Sequence, residues 1–518
     1  MLDIALIRSK PDWVKEQIAK LNDDGALARI DAIVTLDAQR RELRTRIETE
    51  QAALNKLNRG MGKLRGNKSI DDEEKLERAV LAAHCLLKLF DRLAASEWME
   101  CTAPRLAHSN AAERRRETRV MMAEVVEKLE RGQELSNTYA SCSDNYDPYT
   151  GEEQSDAYLL LVLALKHVER TSGIKAGFAK IKEIEQELQE NMLWLPNLPH
   201  ESVPVFDSEA DNIPGQIQGN LREFDFEPKP HWELGPALDI IDFERGVKLA
   251  GSRYYTLKGW GARLQRALIS FFLDTARENG YIEVYVPNIV HGEMLYGAAQ
   301  FPKFQDTVFA LADEEKYLIP TAEVGIANLH RDEILEEARL PLQYVAHSPC
   351  FRSEKASAGR DVRGIKRVHQ FEKVEMFKFT TPETSYDELE TITRQAEAIC
   401  AALDIPYRRL EIVTGDLGFS ATKKYDIEMW SPGCGEWLEV SSCSNTEDFQ
   451  ARRAMLRYYP SGTRKTRYLH TLNGSGLATP RVMIAIMENY QQADGSIAIP
   501  EALRTYLGGA DRIGAKGS

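Results

Sequence analysis

No stretch of the 518-residue chain is apolar enough to cross a bilayer, because the longest uninterrupted apolar run, Ala157 to Leu165, falls well short of the roughly 20 residues a spanning helix needs. The opening segment, Met1 to Lys10, mixes Asp3, Arg8 and Lys10 with its apolar residues and lacks the apolar run and small-residue cleavage site of a secretion signal. Neither membrane insertion nor secretion is expected, and the chain is placed in the cytoplasm. Cysteine is scarce. The seven cysteines are odd in number, scattered, and contain no C-x-x-C pair, which excludes a disulfide framework and leaves free thiols as the reading ahead of a zinc site. The phosphate-cradling and dinucleotide fingerprints G-x-x-x-x-G-K-[ST] and G-x-G-x-x-G are missing, so folds built on them are disfavoured. Basic charge is also short, with 66 Lys and Arg against 80 Asp and Glu and a net charge of -14. A surface acidic throughout would repel a polyanion, but the net value is an average and leaves room for a local basic face.

What is present is a soluble composition, 43% hydrophobic and 28% charged, at a length that calls for two or more domains. From Leu36 to Leu64 apolar residues recur at Leu36, Leu43, Leu57 and Leu64, with Ile47, Leu54 and Met61 in the alternate seam position. A second heptad stripe runs Ile174, Ile181, Leu188 and Leu195, with Phe178 and Met192. Such stripes close on one another as an antiparallel helical hairpin. Two uses are open: a dimerisation coil or a binding arm. Between the stripes lies an insertion, about residues 67–171, with helical patterns at Asp71 to Ala95 and Glu113 to Arg131 and a turn-rich aromatic piece from Ser136 to Gly151. Its Arg114, Arg115, Arg116 and Arg119 suit either phosphate contact or a solvated helix face. Prolines crowd Pro196 to Pro214 and cannot continue a helix. The division expected is therefore a helical arm over 1–195, a linker over 196–223, a second domain over 224–507 and a flexible tail over 508–518.

In the second domain Phe224 to Phe226 and Tyr254-Tyr255 read as strand fragments, Ala262 to Glu278 as an amphipathic helix, and Ile282 to Val286 as a strand stopped by Pro287. Hairpin signals outnumber repeated strand-helix-strand units. The expected class is α+β, an antiparallel sheet flanked by helices.

The densest chemistry lies in Phe351 to Phe379, two strand-like flanks around a Gly-containing loop, Lys355 to Lys366. Strand periodicity puts Arg352 and Glu354 on one face, and Arg367, His369, Phe371 and Glu375 on one face of the return strand. Guanidiniums, an aromatic plane and carboxylates facing each other suit a ligand with a phosphate, a flat base and an ammonium group. From Arg352 to Arg367 six basic residues stand against Glu354 and Asp361, a local charge of +4 in an acidic chain. Glu439-Val440-Ser441-Ser442 offers oxygen ligands of the kind Mg²⁺ takes, although taken by itself the segment reads as an edge strand before it reads as a metal site. Asn473 to Gly476 precedes Pro480-Arg481 and a helix from Val482 to Tyr490, which sets Arg481 near a helix start where anions are favoured. Thr321-Ala322-Glu323 presents a hydroxyl and a carboxylate on one face if extended, or a helix cap with a first-turn acid.

These segments in this order, with Met1 to Ile4, Leu195 to Pro204 and the helical hairpin, resemble the seryl-tRNA synthetase family of class II aminoacyl-tRNA synthetases over nearly everything but the insertion. The resemblance identifies the region ending Gly280 to Glu283 and Pro287 with motif 1, the dimer interface. It identifies Phe351 to Phe379 with motif 2 and Gly474 to Arg481 with motif 3. It implies that L-serine is read by Thr321, Ala322, Glu323, Glu375 and Ser475, with Arg352 on its carboxylate and the α-phosphate. ATP is then held by Arg352, Ser353, Glu354, Arg367, Phe371 under the adenine, Glu439, Val440, Ser441, Ser442 and Arg481, with Mg²⁺ on Glu439 and Ser442. Arg352, Arg481 and Glu439 are the residues carrying catalysis. It further implies a homodimer that charges tRNA(Ser), with tRNA(Sec) as an additional substrate, and an arm that grips tRNA. Thr479-Pro480 stands where the family carries a smaller pair, and Ala298-Ala299 where a Gly-containing pair is common.

Overall fold

The computed structural model describes residues 1–65, 151–355 and 363–514. The expectations for Asp71 to Ala95, for Glu113 to Arg131 with its four arginines, for Ser136 to Tyr149 and for Arg360 therefore lie outside the described residues. Two units emerge, one of Leu36–Glu187 and one of Met1–Thr35 with Leu188–Ser518.

Two long helices supply the first unit: α1 (Asp24–Arg65) and α2 (Gly151–Leu193). Helix α2 already runs at Gly151, so its first twenty residues fall within the stretch that the sequence assigns to the insertion. Ile47, Leu54, Ile174 and Ile181 form the buried seam, with Leu43 and Leu57 packed against it. Phe178 departs from the heptad reading, since it is 56% exposed while Ile184 is buried. The reason is Gly177, whose missing side chain lets α2 close on Ile47; a Cβ there would stand 2.8 Å from the Ile47 side chain. The seam thus runs Ile174, Gly177, Ile181, Ile184, and Phe178 turns outward.

The second unit is built on an eight-stranded sheet. In chain order its strands are β1 (Ile213–Pro214), β2 (Ile282–Glu283), β3 (Leu342–Phe351), β4 (Gln370–Thr380), β5 (Tyr407–Glu411), β6 (Lys423–Ser431), β7 (Glu436–Asn445) and β8 (His470–Ala478). Their spatial order is β1-β5-β6-β7-β8-β4-β3-β2, antiparallel except for the β2–β3 pair. The α+β class follows directly. Strands this rich in inward Val, Ile, Met and Leu must be covered, and α4 (Trp260–Glu278), α6 (Ser385–Ala402) and α7 (Thr479–Asn489) lie against them. Phe272, Ile392, Met376, Cys443, Leu472 and Val482 meet in that core. Helix α7 is buried along almost its whole length, as expected of a helix apolar all round.

Three local readings need correction. Phe224 to Phe226 forms no strand and Tyr254-Tyr255 only precedes a two-residue one, because neither segment finds a long partner. Strand β7 is interior, paired on both sides, where the sequence allowed an edge. Residues Asn473 to Gly476 lie within β8, and the close approach their glycines permit is internal: a Cβ on Gly474 would press on Ile392 and Cys443 at 2.9 and 3.1 Å, so the glycine serves close packing of sheet on helix.

Candidate active site

The register of the sheet decides which side chains share its open face. On β4 the pairing sets Phe371, Lys373, Glu375 and Phe377 on one side, opposite Cys350, Ser348 and Ala346 of β3. Ser475 of β8 stands across from Glu375, and Asn473 across from Phe377. Thr321 and Glu323 arrive from a separate segment, with Glu323 opening the short helix α5 (Glu323–Ala327).

At one end of this face lies an acidic pocket. Thr321 donates its hydroxyl to Glu375 at 2.9 Å and accepts from the Glu323 backbone N–H at 3.3 Å, although the N-cap position of the helix is held by Ala322. Glu375 is fully buried, ion-paired to buried Lys373, and its Oε1 has no partner among the described residues. Glu323 accepts from Gln450 at 2.6 Å and from Asn473 at 3.2 Å. Burial, and then the charge of Glu375, push the Glu323 carboxyl up to about 7 against the pull of Lys373, Gln450 and Arg352. Two carboxylates with one lysine leave room for a further cation. Ala322, between Thr321 and Glu323, is fully buried.

Beside the pocket, the Arg352 guanidinium lies 5.1 Å from the Phe371 ring centroid and its Nε donates to the Pro320 carbonyl at 3.4 Å. Its main chain is tied twice to His369, which accepts from the Arg352 N–H at 2.9 Å and donates Nδ1–H to its carbonyl at 2.8 Å. Arg367 pairs with Glu354 at 3.2 Å, and Glu354 has a left-handed φ of 50°. Ser353 is occupied, donating its hydroxyl to the Asp306 carbonyl.

The third group depends on an irregularity. Asp426 of β6 faces Ser442 and Ile427 faces Ser441, but Glu428 faces Glu439, so Val440 is an extra residue. A regular strand would point residues three apart to opposite faces. The bulge instead brings Glu439 and Ser442 to the same face as Asp426 and Lys424, while Val440 and Ser441 turn inward, the Ser441 hydroxyl donating to the Ser475 carbonyl at 2.5 Å. Arg481 reaches over from α7, 3.3 Å from the Glu439 carboxylate and 2.7 Å from its carbonyl. Although desolvation opposes it, Arg481, Lys424 and Arg352 hold the Glu439 carboxyl below the usual range. Burial pushes Asp426 up to about 7, and its Oδ1 has no partner among the described residues. Oxygen donors gathered on one face suit a hard divalent cation.

Thr321, Glu323, Glu375, Ser475, Arg352, Glu354, Arg367, Phe371, Glu439, Ser442 and Arg481 thus share one face or its margin. Val440 and Ser441 point away from it. Sequence reasoning missed Lys373, although period-two alternation between Phe371 and Glu375 marks it. Asp426, Gln450 and Asn473 were also missed as neighbours of these groups; the first two are reached only through cross-strand register and a distant helix. The Thr479-Pro480 departure leaves the Arg481 contacts in place. Ala299 adopts a left-handed φ of 61°, which costs a non-glycine residue roughly 1 kcal/mol.

Comparison with known proteins gives consistent matches. Residues 1–85 match the seryl-tRNA synthetase N-terminal domain, and residues 307–490 the tRNA synthetase class II core domain (G, H, P, S and T). A serine-tRNA ligase of Roseiflexus sp. (strain RS-1) is 45% identical over 513 residues, 99% of each chain. One from Herpetosiphon aurantiacus is 56% identical over 65% of this chain and 80% of its own. Among solved structures, seryl-tRNA synthetase from Pyrococcus horikoshii complexed with ATP has a TM-score of 0.78 and 33% identity, covering 99% of this chain and all of its own.

Proposed function

The chain belongs to the seryl-tRNA synthetase family, and from that premise we propose how its own residues divide the work of a serine-tRNA ligase. The enzyme activates serine with ATP to seryl-adenylate and passes the seryl group to the 3′ end of its tRNA. The observation that carries the assignment of roles is the face shared by an acidic pocket, a ring-stacked arginine and a cluster of oxygen donors.

Serine sits in the acidic pocket. Its ammonium meets the partnerless Oε1 of Glu375 and the Glu323 carboxylate, and Thr321 and Ser475 complete the polar wall. Arg352, beside the pocket, takes the serine carboxylate and the α-phosphate. Phe371 supports the adenine, Glu354 lies at the base edge, and Arg367 and Arg481 neutralise the outer phosphates. Glu439 and Ser442 would hold Mg²⁺, with Asp426 beside them, and the ion would supply charge neutralisation and orientation at the phosphates. The serine carboxylate attacks the α-phosphorus in line, its oxygen forming the new bond as pyrophosphate leaves. Positioning and charge neutralisation by Arg352 and Arg481 suffice, and the protein need move no proton in this step. Serine-dependent ATP–pyrophosphate exchange that also requires Mg²⁺ is the expected result. A chain that binds tRNA(Ser) yet shows no such exchange would not be this enzyme.

Proton linkage follows from the pocket. Glu323 titrates near neutrality because it is buried beside Glu375, and serine's ammonium supplies the missing counter-charge. Serine therefore binds better to the ionised form, and its KM falls as pH rises through about 7. Glu323→Gln flattens that dependence; a serine KM in the native enzyme indifferent to pH across this range would remove the linkage.

A homodimer pairs through motif 1. Strand β2 ends the sheet, and Tyr285 just beyond it is 86% exposed, with Ile282 and Ile289 also exposed. Tyr285→Asp is expected to shift the sedimenting species from dimer to monomer, and an unchanged distribution of a folded variant at equal concentration would reject this surface. The cytoplasm, where free thiols such as Cys350, Cys400, Cys434 and Cys443 persist, is the compartment that fits.

A further inference from the structure

Away from the three groups of the site, a buried polar cluster centres on Glu488 of α7 and His231, which opens a short helix, α3 (His231–Ala237). Both side chains are fully buried. Glu488 accepts from the His231 N–H and its Nδ1 at 2.9 Å each, from the Cys434 N–H at 3.0 Å and thiol at 3.1 Å, and from the Ser431 hydroxyl. The other imidazole nitrogen, Nε2, lies 3.1 Å from the Ile365 backbone N. An N–H can only donate, so Nε2 accepts and the proton sits on Nδ1, aimed at Glu488.

Three of these side chains, those of His231, Cys434 and Glu488, lie close enough together to suggest a metal centre. Their hydrogen bonds oppose that reading. Nδ1 keeps its proton, both Glu488 oxygens are engaged, and burial pushes the Cys434 thiol up to about 12.

What the cluster holds is the return limb of motif 2. Gly364 has φ 72°, and a Cβ there would lie 1.9 Å from His231 Nε2, so the imidazole occupies the space only glycine leaves. The next residue is bonded through Ile365 N–H. The Lys366 carbonyl then accepts from Arg481 Nε at 3.4 Å, and the Arg367 carbonyl from Arg253 at 3.2 Å. Trp232, beside His231 on the same helix, carries the Lys366 ammonium 5.6 Å from its ring centroid. Side chains from three separate segments thus fix successive peptides of the stretch that carries Arg367 and steers Arg481.

We propose that His231 is a positioning residue for ATP, its Nε2 fixing the Ile365 peptide and through it the two arginines that meet the outer phosphates. The inference rests on the serine-tRNA ligase reading. It predicts a selective effect, because Thr321, Glu323, Glu375 and Ser475 take part in none of these bonds.

Exchange kinetics test it, with thermal melting to establish folding. His231→Asn keeps a group near Nδ1 for Glu488 but cannot reach Ile365. Its ATP KM should rise at least about 10-fold, the scale of one lost buried hydrogen bond, while serine KM stays within about twofold. His231→Gln, which restores an acceptor at the Nε2 distance, should return ATP KM to within about threefold of the native value. Gly364→Ala, which displaces the same contact from the other side, should repeat the His231→Asn signature. Folded His231→Asn or Gly364→Ala enzyme with an unaltered ATP KM would overturn the proposal, as would ATP and serine KM rising together with a lost melting temperature. A native chain with no serine-dependent exchange would instead overturn the reading beneath it, and the proposal with it.

Discussion

Arg352→Ala is expected to lower serine-dependent ATP–pyrophosphate exchange at least about 100-fold, the scale seen when one preorganised charge-stabilising donor is deleted. The side chain is held before any ligand arrives: its main chain is tied to His369 on both sides and its guanidinium rests on Phe371 and the Pro320 carbonyl. Its charge acts on Glu323 and on Glu439, so it is felt by both the acidic pocket and the cluster of oxygen donors. Lysine cannot reproduce both the planar stacking and the forked donation, so Arg352→Lys should recover only part of the loss. Arg277→Ala, which removes an exposed guanidinium paired only locally with Asp274, is the control and should leave the rate near normal. Near-normal exchange by Arg352→Ala would sink the assignment of the site.

The second large effect belongs to Glu375. Replacing it with glutamine keeps the shape and removes the charge, so the serine ammonium loses its buried counter-ion. A charge-assisted hydrogen bond contributes about 2 to 3 kcal/mol, which converts to a serine KM raised on the order of 100-fold. ATP KM should move far less, since the phosphates are met elsewhere. The same change leaves Lys373 buried without its carboxylate, and an uncompensated buried charge also lowers the melting temperature. Separate KM values for serine and ATP on protein shown to be folded decide the matter; a serine KM within about threefold of native would reject the role of Glu375.

How much of this was legible in the sequence differs from part to part for physical reasons. The long helices were readable because heptads repeat, yet the seam position of Phe178 was misread, since Gly177 sets how closely the helices approach and a heptad count is blind to that. The motif 2 hairpin was readable as two flanks around a charged loop, and Phe371 and Glu375 share a face as period-two reasoning requires. Arg352 could be placed near them only by assuming that the two strands face each other. Gln450 bonds Glu323 from 127 residues away, a distance no local pattern spans. His231 gave no signal: a single histidine before a short helix reads as an ordinary core residue until Gly364 is seen against it.

The extra residue at Val440 has a consequence for how this chain can change length. Between Glu439 and Ser442 the spacing of the two oxygen donors is correct only because one position is out of step with its neighbour strand. Loss of Val440 or Ser441 would restore a regular ladder in which the two donors, then two residues apart, still share a face, whereas straightening the strand with all four residues kept would send either the carboxylate or the hydroxyl toward the helix-covered core. A one-residue deletion between the donors therefore keeps their shared face, while the present spacing keeps it only as long as the bulge persists.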